Sequence, residues 1–252
     1  GLAEHSARYR RFAETLARHG FAVIAHDHRG HGETAASPAD LGFFAERDGW
    51  AKVVADLGEV QAAARAIWPG LPVLLFAHSM GSFIAQDFIA GNGNSLAGVV
   101  LCGSNGTAPP LIGRLFARVE RLSSAAWPQP DLHAQAFGAF NKAIPNPRTP
   151  FDWLSRDPAE VAAYADDPLC GFVATTQLWI DLLDALSRLA TDGHKARVSK
   201  DLPILSIAGS ADPVSAGGRG LTPLIEGYRR AGLTHVDHRL YEGVRHELLN
   251  ET

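Results

Sequence analysis

The sequence predicts an α/β architecture: a mostly parallel sheet with helices on both faces, interrupted by a helical insertion. Three observations carry this. Short apolar runs rich in β-branched residues alternate with longer stretches of helical periodicity, the pattern of a sheet buried on both faces. One such run leads straight into a tight Ser-centred turn followed by helix-forming sequence. From about residue 107 to 200 the strand signals stop, and Pro clusters, Trp residues and a Leu stripe replace them.

The elements follow in order. Phe21-Ala-Val-Ile-Ala25 reads as a buried strand. Between residues 49 and 68, Val53, Leu57, Val60, Ala64 and Ile67 fall at alternating spacings of four and three, one face of a helix. Pro69-Gly70 stops it. Residues 72–77 predict a strand, 81–90 a helix and 96–101 another strand. Residues 202–208 and 235–241 predict two more, with a helix over 221–230 between them. In the inserted stretch, Leu178, Leu182, Leu183, Leu186 and Leu189 line one side of a helix over 175–189. The domain reading is therefore a core over 1–106, a helical cap or extra edge helices over 107–200, and the rest of the core over 201–252.

Composition narrows the function. The 252 residues are 46% hydrophobic with a formal net charge of -4, which excludes a disordered chain and offers no electrostatic footprint for nucleic acid. Cys102 and Cys170 are the two cysteines and neither sits in a paired metal or redox pattern. No apolar run reaches the ~18 residues of a membrane helix, and the first residues do not read as a signal peptide. The expectation is a cytoplasmic enzyme with no cofactor and no metal.

The chemistry concentrates in Val73-Leu-Leu-Phe-Ala-His-Ser-Met-Gly81, a G-x-S-x-G elbow with Ala77 at the first glycine position. A strand–turn–helix of this kind holds Ser79 in a strained backbone conformation and lifts its Oγ clear of the sheet, at a helix N-terminus that favours negative charge. The turn is expected to need small residues two before and two after Ser79. A hydroxyl needs a neighbouring base, itself oriented by a third group. In this arrangement the chain order is Ser, acid, His. Asp212 follows the apolar run 204–208, and His246 follows the last strand behind Gly243. Asp201 precedes its strand, and His235 and His238 lie before or within theirs, so they are set aside. His78 adjoins the nucleophile without being placed as the base. His26, His28 and His31 in Asp27-His-Arg-Gly-His-Gly32 are read as a Gly-rich turn rather than a metal cluster. One oxyanion donor is the N–H of Met80. The other must come from an early turn, for which Gly1-Leu2 is the candidate.

With Gly1-Leu-Ala-Glu-His-Ser-Ala-Arg-Tyr9, Asp27-His-Arg-Gly-His-Gly32, Ala77-His-Ser-Met-Gly81 and Tyr241-Glu-Gly-Val-Arg-His-Glu-Leu-Leu-Asn250, the chain resembles the monoacylglycerol lipase / lysophospholipase group of serine aminopeptidase S33-like α/β hydrolases. The stretch from Ser155 to Leu169 extends the resemblance into the insertion. It implies the α/β-hydrolase fold, a mostly parallel sheet with helices on both faces and a helical cap. It places nucleophile, acid and base on Ser79, Asp212 and His246, and the oxyanion N–H groups on Leu2 and Met80. Glu4, Arg8, His78 and Tyr164 match residues that hold the glycerol hydroxyls of a monoglyceride, although Glu4 and Arg8 also fit a purely structural buried pair. The implied activity is hydrolysis of single-chain acyl esters through an acyl-enzyme, with peripheral contact to lipid surfaces. An amidase or aminopeptidase with the same triad is the alternative, and a catalytically silent ligand-binding protein a further one. The family's His-Gly turn is represented by Gly1 alone, so strands before Gly1 and a helix after His246 are expected to lie outside these residues. Without them the 252 residues are not expected to form an active enzyme.

Overall fold

The computed structural model describes residues 1–110 and 137–252. Its helices are α1 (Arg10–Arg18), α2 (Gly49–Ile67), α3 (Met80–Asn92), α4 (Pro158–Asp166), α5 (Thr176–Leu189), α6 (Asp192–Lys195) and α7 (Leu221–Arg230). The strands β1 (Leu74–His78), β2 (Gly98–Cys102), β3 (Ile204–Gly209) and β4 (Val236–Tyr241) form one sheet in the order β1-β2-β3-β4. Every pair is parallel, with Leu74 opposite Gly98, Val99 opposite Ile204, and Ile204 opposite Val236. Parallel neighbours need crossovers. Helix α3 supplies the first and α7 the last, so β1, β3 and β4 all release the chain at the same end of the sheet.

Helix α3 is apolar around nearly its whole circumference and correspondingly buried from Met80 to Gln86 and Phe88 to Ala90. It packs between β1 and β2 on one side and α2 and α5 on the other. Helix α2 meets it only with its first half: Trp50, Val53 and Leu57 are buried, whereas Ile67, the last member of the expected stripe, is 57% exposed. Between β2 and β3, the described residues from 137 on form helices. Helices α4, α5 and α6 carry side-chain caps that satisfy free N–H groups: Asp157 Oδ1 accepts from Ala159 at 2.9 Å, Thr175 Oγ1 from Leu178 at 3.3 Å and Thr191 Oγ1 from His194 at 3.2 Å. Leu178, Leu182, Ala185 and Leu189 are the buried side of α5. Residues 111–136, which hold the start of the aromatic stretch expected to form a cap, lie outside the described residues. No helix among the described residues is long and apolar enough to cross a membrane.

One expected element is not found. Residues 21–25 pair with no strand, and Phe21 and Ile24 stay 48% and 42% exposed. A strand needs a ladder partner as well as apolar side chains, and β1 is paired on one edge only, with β2.

Candidate active site

The turn after β1 is strained at one residue. Ser79 has φ 53° and ψ −125°, a conformation that costs a non-glycine residue roughly 1–3 kcal/mol. Its surroundings hold it there. The Ser79 N–H donates to the Cys102 carbonyl at 2.9 Å, while the Ser79 carbonyl accepts from the Ser82 N–H at 2.8 Å and from its hydroxyl at 2.6 Å. A small residue suffices at position 81, where an added Cβ would touch only His28 Nε2, at an ordinary 3.5 Å. Two glycines at the site are crowded: at Gly1 a Cβ would lie 3.0 Å from Ser79 Cβ and 2.7 Å from Glu4 Oε1, and at Gly103, with φ 60°, 2.9 Å from His246 Cε1. The close approach at Gly1 sets the Gly1–Ala3 turn against Ser79. Ala3, at φ 57°, is fixed by its carbonyl, which accepts from the Gly171 N–H at 3.0 Å and the Tyr164 hydroxyl at 2.8 Å. Met80 opens α3, so its N–H belongs to the set that a helix leaves without an intrahelical acceptor.

Asp212 and His246 leave β3 and β4 at the same end and meet. His246 Nδ1 lies 2.9 Å from Asp212 Oδ1, and both residues are buried. Burial favours the neutral acid, yet the His246 imidazole, the Val214 N–H and the Ser215 hydroxyl hold the Asp212 pKa below its ordinary value. The imidazole stands between two rings, His78 at 4.6 Å and Trp153 at 5.1 Å between centroids. Its Nε2 is buried and has no hydrogen-bond partner. The expected bond from Nε2 to Ser79 Oγ is therefore not formed in this state. Such contacts are often loose without substrate and tighten in the complex, and here the flanking rings fix the imidazole plane independently of Ser79.

Ser79, Met80, Leu2 and His246 open into one cavity of about 380 Å³. Its walls are mainly apolar, with Phe83, Phe137, Trp179, Leu182, Leu186 and Val214 among them. Of the four expected head-group residues, Glu4, His78 and Tyr164 line this cavity. Arg8 does not. Its guanidinium pairs with Glu247 through both nitrogens, at 2.8 Å from Nη2 to Oε2, reaches Glu4 Oε2 at 3.1 Å, and covers the Tyr164 ring at 4.8 Å. Burial works against its charge, but the bonds and charges of Glu247 and Glu4 raise its pKa. Burial likewise opposes charge on Glu4, yet neighbouring positive charge, Arg8 included, keeps its pKa below the carboxylate range. His78 is pushed well below the usual histidine value, by burial first and the adjacent His246 second. Glu247, directly after His246, was not anticipated. Its only sequence signal is an acid beside His246, and nothing in the spacing links it to Arg8.

The whole chain, residues 1–252, matches the family model described as serine aminopeptidase, S33. The chain belongs to that family. Within it, the chain is 31% identical over 255 residues to the monoglyceride lipase of Rattus norvegicus, covering 100% of this chain and 74% of that protein. It is 29% identical over 254 residues to the monoacylglycerol lipase of Mycolicibacterium smegmatis, covering 100% of this chain and 80% of that one. A solved carboxyl esterase from Bacillus coagulans in complex with glycerol superposes with a TM-score of 0.90 at 30% identity, over 99% of this chain and 81% of that chain. The monoglyceride lipase of Saccharomyces cerevisiae, solved with a substrate analogue, gives 0.76 at 18% identity, a likeness of fold. This S33 member therefore has the α/β-hydrolase fold that the elbow and strand order implied.

Proposed function

We propose that this S33 family member is a serine carboxylic-ester hydrolase that cleaves monoacylglycerols or similar single-chain lipids. The observation that carries the reading is the convergence of the strained Ser79 and the buried Asp212–His246 pair on one apolar cavity. In this reading Ser79 Oγ attacks the ester carbonyl and His246 Nε2, free of protein partners, takes its proton. Asp212 keeps the imidazole oriented through Nδ1 and stabilises it once charged. The N–H groups of Leu2 and Met80 receive the developing oxyanion, each worth ~10²–10³ in rate. The imidazole then gives its proton to the departing alcohol, and a water activated by the same His246 releases the acid from the acyl-enzyme. No step calls for a cofactor.

Residues 107–200 act in this reading as the cap whose apolar side chains receive one acyl chain. Leu182 and Leu186 of α5 support it by lining the cavity beyond Ser79. The amide-cleaving alternative needs an unneutralised acidic pair for a substrate amine. Glu4 and Glu247 are acids beside the site, but both are ion-paired with Arg8, which lies between them. That favours esters. Both cysteines are free thiols, which fits a reducing cytoplasm. The test is a substrate panel: a monoacylglycerol, its triacylglycerol counterpart and an aminoacyl amide with the purified protein. The monoacylglycerol should turn over far faster than the other two. Equal turnover of the mono- and triacylglycerol, or preference for the amide, would overturn the proposal.

A further inference from the structure

The three segments that meet beside the Gly1–Ala3 turn place a nitrogen, an oxygen and a sulfur donor together. His5 Nε2 lies 2.8 Å from Asp167 Oδ2, and the thiol of Cys170 joins them, all three donor atoms lying within 4.8 Å of one another. Among the described residues this is the group with such a spacing. The backbone fixes two of the three: Asp167 ends α4, its Oδ1 accepts from the Leu169 N–H at 2.8 Å, and its carbonyl accepts from the Cys170 N–H at 3.0 Å. Oδ2 is thus left to face His5. A His–Asp pair alone is an ordinary ion pair. A free thiol closing the third side makes it a mixed N, O, S donor set.

From this juxtaposition we propose that His5, Asp167 and Cys170 form a site for a borderline-soft divalent cation, Zn²⁺ in the first place, with water as fourth ligand. Imidazole, carboxylate and thiolate are the three donor types that Zn²⁺ takes, at roughly 2.0–2.3 Å, which sets ligand atoms about 3.3–3.7 Å apart around a tetrahedron. The pair at 2.8 Å has to open slightly and the thiol has to approach, shifts of about 1 Å that side-chain rotation supplies. Hard cations such as Mg²⁺ and Ca²⁺ prefer all-oxygen sets and are selected against. The side chains of His5 and Asp167 are 13% and 29% exposed, so the ion has an entry path and room for water. The Arg8 guanidinium is the nearby charge that opposes a cation, and Glu4 and Glu247 neutralise it. Binding requires the thiolate, so it releases a proton and strengthens as pH rises.

The site has a structural consequence. Gly171, next to Cys170, and Tyr164 of α4 grip the Ala3 carbonyl, and His5 lies two residues beyond Ala3. An ion between His5 and Cys170 ties both flanks of the turn that presents Leu2. This proposal does not rest on the ester-hydrolase reading, since it is tested by spectroscopy and stability. Titrating the purified protein with Co²⁺ as a Zn²⁺ probe should produce a near-ultraviolet thiolate-to-cobalt band saturating at one ion per chain, bleached by Zn²⁺. C102S should keep the band and C170S should lose it. H5Q should weaken Zn²⁺ binding by at least about tenfold, since even supporting groups of a metal site cost about 10–100-fold. Zn²⁺ should raise Tm for the wild type and for C102S, and not for C170S. A wild type without the band, a band that survives C170S, or cobalt binding through histidine alone would each overturn the proposal. Should C170S fail to fold, H5Q and D167N carry the same test.

Discussion

Residues 74–79 and residues 21–28 begin alike and end differently. Each is a short apolar run leading into a histidine-bearing turn. Leu74–His78 lies in register with Gly98–Cys102 along its whole length, and three hydrogen bonds pin the serine that follows it. Residues 21–25 have no ladder, and Phe21 and Ile24 face solvent, while in the turn beyond the histidine rings pack against one another. His26 and His28 stand 4.9 Å apart and His28 and His31 6.2 Å apart, edge to face. His26 Nε2, His28 Nδ1 and His31 Nε2 are buried without hydrogen-bond partners. Order in the first region comes from the backbone ladder; order in the second comes from ring packing and local bonds, among them the Ser6 and Glu33 N–H groups on the Asp27 carboxylate and the Arg29–Asp56 pair. The difference teaches that apolar content nominates a strand, and a neighbour with free N–H and C=O groups makes it one.

Substitutions sharpen this contrast, and the largest effects belong to the elbow end. Ser79→Ala should lower kcat on the order of 10⁶-fold without loss of fold, measured against an activated ester. Asp212→Asn should cost about 10⁴-fold, because the amide favours the wrong imidazole tautomer. A Ser79→Ala variant within tenfold of wild type would place the chemistry elsewhere.

The charge cluster of Glu4, Arg8 and Glu247 comes next. Arg8→Met leaves the buried carboxylates of Glu4 and Glu247 facing each other with no cation, a loss of roughly 3–5 kcal/mol. Urea unfolding checks this, and the double variant with Glu247→Gln should recover part of the loss. An Arg8→Met protein as stable as wild type would mean the cluster carries no net structural weight.

The histidine turn predicts an acid sensitivity. Burial pushes the His31 pKa down to about 4, against about 6.5 in an unfolded chain. The unfolded state then binds the extra proton first, so the stability contribution is complete above about pH 6.5 and is lost as pH falls towards 4. The share of His31 is about 2–3 kcal/mol between pH 7 and 4.5. His31→Phe should flatten that part of the stability curve, and an unchanged slope would assign it to other groups. The smallest effect should come from Ile24→Ser, within about 0.5 kcal/mol because the side chain is already exposed. A loss above 2 kcal/mol there would show that residues 21–25 are paired in solution.

The two regions also mark how far the sequence was legible. Ser79, Asp212 and His246 could be placed because parallel topology releases β1, β3 and β4 at one end, so strand order alone converts chain order into proximity. The helix over 49–67 and the strands from β1 to β4 followed from periodicity. Glu247 was not legible, because its partner Arg8 lies 239 residues away and no period connects them. Nor was the orientation of the imidazole, which depends on Trp153 from the inserted stretch and His78 from the elbow. The exposed run at 21–25 was misread for a related reason: its side chains are those of a strand, but pairing is a property of the neighbour. The close approach of Gly1 to Ser79 was not legible either, because the two lie 78 positions apart in the chain and adjacent only in the fold.

The most direct measurement is covalent labelling of the purified protein with a fluorophosphonate, followed by peptide mapping with and without a monoacylglycerol competitor. The account predicts a single adduct on Ser79, formed in step with loss of esterase activity, slowed by the competitor and absent from Ser79→Ala. Labelling at another residue while activity is lost, or full activity after Ser79 is modified, would contradict it.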